Sequence, residues 1–132
     1  MTTVLFACVH NAGRSQMAAA FFNTIANPRK ARALSAGTHP GDRVHPEVLT
    51  AMKEAGVDLS GAKPTRLTLD LAQQAQVLVT MGCGNECPYV ADAKRDDWPL
   101  EDPNGKPIAD VRAIRDEIRS RVEALIENEG WR

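Results

Sequence analysis

The chain has 132 residues, 43% hydrophobic and 25% charged, with a net charge of −1 and three cysteines. That length suits one domain, 1–132, with a core of its own, and the near-neutral charge gives no reason to expect nucleic acid or an anionic membrane as partner. An odd number of cysteines argues against a structural disulfide framework and for a reducing, cytoplasmic setting.

Residues 3–8 read as a buried strand. The apolar run, residues 4–9, is too short to cross a membrane and has no basic leader. It leads into Cys8-Val9-His10-Asn11-Ala12-Gly13-Arg14-Ser15, a Cys-(x)5-Arg-Ser loop. Beyond it, Met17, Phe21, Phe22 and Ile25 recur at helical spacing over residues 14–26.

Strand, tight loop and helix start together build an anion cradle. Backbone N–H groups of His10, Asn11, Ala12, Gly13, Arg14 and Ser15 are the expected oxyanion contacts, and Arg14 adds a two-pronged guanidinium. The same positive field would hold Cys8 as a thiolate nucleophile. Gly13 keeps a side chain out of the way of a ligand or a left-handed turn, and Asn11 tolerates such turns. Ser15 can donate its hydroxyl to the thiolate or cap the helix. An ordinary buried thiol at a strand end would leave these four neighbours without a role.

Residues 31–36 are expected to form a second strand, closed by Gly37 and a Thr38-His39-Pro40-Gly41 turn. Pro46 and Gly56 bracket a helix with Val48, Leu49, Met52 and Ala55 on its core face. Residues 67–74 suit a short helix, and residues 77–81 are the clearest strand, β-branched and uninterrupted. Residues 110–127 form a last helix with Val111, Ile114, Ile118, Val122 and Leu125 on one stripe. Its other face is charged and solvated, with Glu117 and Arg121 four apart. Strands alternating with helices predict an α/β fold with parallel pairing. Sites in such sheets lie beyond the carboxyl ends of the strands, so Cys8 and Cys83 should emerge on one edge.

The segment Gly82-Cys83-Gly84-Asn85-Glu86-Cys87-Pro88 has three readings. A zinc half-site needs further ligands, yet there is no second cysteine pair and His10, His39 and His45 lack ligand spacing, so no metal is expected. Two unrelated core thiols would sit oddly among surface-loop residues. A reversible dithiol fits best: one helical turn brings the two Cα atoms within roughly 6 Å. Gly82 and Gly84 would let the segment move. Further on, Asp102-Pro103 lies among turn formers. A carboxylic acid there can protonate an oxygen leaving the cradle, with Asp96, Asp97 and Glu101 as competitors for the role.

With these elements placed, the chain resembles the low-molecular-weight protein tyrosine phosphatase fold family, and within it the thiol-coupled arsenate reductases. The likeness runs nearly end to end. It includes the residue 8–15 loop, Gln16-Met17-Ala18, Ser35-Ala36-Gly37-Thr38, Gly56-Val57-Asp58, Val79-Thr80-Met81-Gly82-Cys83 and Asp102-Pro103. The family usually has glycine where His10 stands and often a second cysteine where Gly13 stands. Its phosphatases place aromatic residues after the Asp-Pro, where this chain has Asn104-Gly105.

The resemblance implies a three-layer α/β/α fold with a four-stranded parallel sheet. It implies catalytic roles for Cys8, Arg14, Cys83, Cys87 and Asp102: attack by Cys8 on arsenate, a Cys8–Cys83 disulfide, then a Cys83–Cys87 disulfide. No cofactor is expected to be bound, and thioredoxin or another thiol would be the external reductant. A monomer is expected, since no exposed apolar stripe stands out. A phosphatase working through a Cys8 phosphocysteine, and a redox-sensing or oxyanion-binding module without turnover, are the competing readings.

Overall fold

The computed structural model describes residues 1–82 and 93–132. In chain order, the described elements are β1 (Thr2–Cys8), α1 (Arg14–Ile25), β2 (Ala31–Gly37) and α2 (Pro46–Glu54). These are followed by α3 (Leu69–Gln73), β3 (Val77–Thr80), β4 (Lys94–Asp97) and α4 (Ile108–Glu129). The strands form one sheet, ordered β2-β1-β3-β4, with every pairing parallel. The expected α/β fold with a four-stranded parallel sheet is what forms.

Register carries the functional consequence. Cys8 pairs with Gly37, Ala7 with Thr80, and Thr80 with Asp97. The carboxyl ends of all four strands therefore share one edge, where ligands of such sheets bind. Cys8 stands on that edge, and β3 delivers the chain to it at Met81 and Gly82. Cys83 and Cys87 lie outside the described residues.

β1 is the central anchor. Its alternation sends Val4 and Phe6 to one face and Leu5 and Ala7 to the other, all of them fully buried. The first face carries the larger core, where Met17, Phe21 and Phe22 of α1 meet Val111, Ile118, Val122 and Ile126 of α4. Phe6 makes an edge-on contact with Phe22, and its ring centre lies 5.5 Å from that of Trp98. The second face is covered by Ala72 and Leu71 of α3.

Two expectations are corrected here. The buried stripe of α2 is Val48, Ala51 and Met52, with Leu49 and Ala55 only partly covered. The helix turns its small residue inward because α4 lies close, near enough for Arg115 Nη1 to donate to the Ala51 carbonyl at 2.8 Å. On α4, Ile126 takes the place expected of Leu125, which is half-buried. β4 was not placed by the sequence pattern. Its four residues, Lys-Arg-Asp-Asp, are all exposed.

Candidate active site

Cys8 ends β1 with 2% of its surface exposed. Its Sγ accepts the backbone N–H of Asn11 at 3.2 Å and lies 2.8 Å from Ser15 Oγ. A thiolate can only accept, so the Ser15 hydroxyl is then the donor of that pair. Of the two sequence expectations for Ser15, the contact with sulfur is the one seen. The N-cap of α1 is Gly13, and no side chain caps it.

Asn11 is the hub of the loop. It is fully buried, with φ of 51°, the left-handed turn expected of this residue type. Its Nδ2 donates to Ser15 Oγ at 2.6 Å. Its Oδ1 accepts from the Thr65 backbone N–H at 2.8 Å and from Gln16 Nε2 at 3.0 Å. Gln16 Nε2 also lies 3.1 Å from the carbonyl oxygens of both Asn11 and Lys63. A buried amide thereby ties the loop to residues 63–65.

Arg14 opens α1, and its side chain is 8% exposed. Nη1 donates to the Leu100 carbonyl at 3.1 Å, and Nη2 stands 3.8 Å from Asp102 Oδ2. Asp102 is half-exposed, and its Oδ1 accepts the Asn104 N–H at 3.0 Å in a tight turn. Pro103 packs against Gly13, where a Cβ would come within 2.7 Å of the proline ring. Gly13 has φ of −147°, so its bare backbone makes room for Pro103 rather than for a left-handed turn. The residue 8–15 loop and the Asp102 loop are thus packed together, with the carboxylate beside Arg14.

The competing acids are engaged elsewhere. Asp96 accepts from Trp98 Nε1 at 3.1 Å, and Glu101 pairs with Lys106 at 3.2 Å. Asp97 accepts the Thr80 hydroxyl. That bond, helped by Arg95, holds the Asp97 carboxyl below its ordinary range. Asp102 is the acid with a described contact to Arg14.

His10 stands exposed at the rim, its Nδ1 2.9 Å from the His39 carbonyl oxygen. An open cavity of about 320 Å³ lies beside the loop, lined in part by His10, Ala12, Arg43, His45 and Asn104. Among the described residues, no group of three or more His, Cys, Asp or Glu side chains could hold a metal ion. No helix among them is long and apolar enough to cross a membrane.

The sequence reading missed the supporting contacts. Gln16 follows the loop and is a visible polar residue inside an apolar helix face. Thr65 and the Leu100 carbonyl carry no signal in the sequence, because each meets the loop only after folding.

Comparison with known proteins adds independent evidence. The family model described as low molecular weight phosphotyrosine protein phosphatase matches residues 3–129. The chain belongs to that family. Within it, a Halobacterium salinarum protein assigned as an arsenate reductase is 40% identical over 126 residues, covering 92% of this chain and 89% of that protein. The glutaredoxin arsenate reductase of Synechocystis is 36% identical, covering 96% of this chain and 97% of its own. Among solved structures, the thioredoxin-dependent arsenate reductase of Corynebacterium glutamicum superposes with a TM-score of 0.85 and 38% identity. That match covers 97% of this chain and 61% of the longer one. The residue 8–15 loop lies within the span that the family model matches.

Proposed function

We propose that this protein reduces arsenate to arsenite, with Cys8 as nucleophile and an external thiol as final reductant. The observation that carries the reading is the Cys8 sulfur on the floor of the loop. It receives an N–H from Asn11 and faces the Ser15 hydroxyl, with the Arg14 guanidinium borne by the same loop. Arsenate has the charge and shape the cradle suits. The arsenate-reductase relatives support this outcome over simple ester hydrolysis.

The steps are those the family resemblance implies, and the residues of this chain can support them. Cys8 thiolate attacks arsenic(V), an S–As bond forms, and one arsenate oxygen leaves as water with a proton from Asp102. Cys83 thiolate then attacks Cys8 sulfur, and the S–As bond breaks. Its electron pair stays with arsenic, which departs as arsenite and leaves a Cys8–Cys83 disulfide. Cys87 attacks Cys83, releasing Cys8 thiolate and forming Cys83–Cys87. An external dithiol reduces that bond by the same exchange chemistry, and thioredoxin is the proposed donor. Loop, arginine and acid serve a phosphate monoester equally well, so resolution by thiol rather than by water makes the enzyme a reductase.

The test is NADPH consumption with arsenate, thioredoxin and thioredoxin reductase, run beside Cys8→Ser, Cys83→Ser and Cys87→Ser. Arsenate-dependent consumption lost in all three variants is the expected result. Consumption only with glutaredoxin or a small thiol would keep the chemistry and replace the donor. No consumption, with phosphate-ester hydrolysis surviving Cys83→Ser, would make this a phosphatase instead.

A further inference from the structure

Gly82 lies just beyond β3, and two observations single it out. Its φ is +102°, a region that L side chains rarely adopt. A Cβ placed on it would fall on Nη1 of Arg14, with Cζ at 3.3 Å and Nη2 at 3.7 Å. The bare backbone of Gly82 therefore forms one wall of the slot that holds the guanidinium. The Leu100 carbonyl and the Asp102 carboxylate are further described partners of the same guanidinium.

We propose that Gly82 is a positioning residue for the oxyanion site: its missing side chain sets where the Arg14 guanidinium lies and so aims its donors into the loop. This rests on the reading of Arg14 as the anion-binding arginine. If a side chain were present, one partner would have to yield. The backbone is the firmer of the two: Met81 is fully buried, its N–H donates to the Ala7 carbonyl at 2.7 Å, and Thr80 is tied to Asp97. The guanidinium, at the end of a long side chain, moves more cheaply. A planar guanidinium takes its orientation from such neighbours, whereas an ammonium is a point charge, so the effect belongs to arginine in particular. The sequence suggested mobility for this glycine. The structure assigns it a steric duty as well, at the residue that directly precedes Cys83.

The experiment titrates inorganic phosphate into wild-type protein, Gly82→Ala, Arg14→Lys and the double variant, with thermal melting of each. Gly82→Ala should weaken phosphate binding about tenfold or more, the scale on which a misaligned charge-assisted pair is felt. It should also shift the Arg14 Nε–H resonance. In the Arg14→Lys background the same substitution should cost less than about threefold, while the backbone strain lowers the melting temperature alike in both. Equal binding losses in the two backgrounds, or an unmoved Arg14 resonance, would overturn the proposal. If Gly82→Ala does not fold, Gly82→Asn carries the same readouts, because Asn is among the few side chains that visit positive φ. Wild-type protein that fails to bind phosphate would bring down the oxyanion reading itself. Wild-type binding matched by Gly82→Ala would sink this inference alone.

Discussion

The residue 8–15 loop and the seam between α2 and α4 are both held by polar contacts, but in different surroundings. In the loop, Asn11 and Ser15 have no exposed surface, and Gln16 is 7% exposed. Their bonds reach across 54 residues of sequence, to Thr65. In the seam, Arg112 grips Glu54 with two bonds of 2.9 and 2.8 Å, and Arg115 reaches the same carboxylate at 3.4 Å. Those bonds are as short, yet Glu54 and Arg112 are roughly half exposed. Water competes for the seam and is kept from the loop. Breaking a contact in the loop leaves a buried group without a partner, whereas in the seam the freed group hydrates.

The contrast is sharpest at Asn11. Asn11→Ala removes three side-chain bonds and puts alanine at a positive φ. It should cost about 3 kcal/mol in urea denaturation and abolish arsenate-dependent turnover. A loss below about 1 kcal/mol would mean that the buried network is not what shapes the loop. Gln16→Ala leaves Asn11 with its Thr65 and Ser15 bonds and should cost about 1.5 kcal/mol, weakening phosphate binding more than it slows the first chemical step.

At the seam the effect is smallest and depends on pH. The Arg112 hydrogen bond, with its charge and that of Arg115, holds the Glu54 carboxyl below its ordinary 4.5. A carboxyl so depressed stabilises the fold above its unfolded value, and that contribution fades as pH falls through the folded one. Glu54→Gln should therefore lower the midpoint of denaturation slightly at neutral pH and not at all in strong acid. A difference that grows on acidification would break the comparison.

Much of this was legible in the chain. β1, α1, β2, β3 and α4 lie within about two residues of where periodicity and punctuation put them, because each has a continuous apolar run or stripe. β4 was hidden for the opposite reason. Lys94-Arg95-Asp96-Asp97 is a charged edge strand, and only its parallel pairing with β3 makes it a strand at all. The loop was readable because its cysteine, arginine and serine fall within eight consecutive residues. The groups that hold it, Thr65, Lys63 and Leu100, come from distant segments whose meeting no local pattern records. Gly82 was readable as a glycine but not as a wall, since its neighbour Arg14 is 68 positions earlier.

The left-handed turn at Asn11 has a consequence for how a ligand is met. The loop takes its shape from Gln16, Thr65 and Ser15, all groups of the protein. The conformational entropy of shaping the loop is thus lost when the chain folds, before any ligand is met. For the proposed oxyanion substrate, association would ask little ordering of these eight residues, and a small, strongly hydrated anion would have mainly its own water to give up.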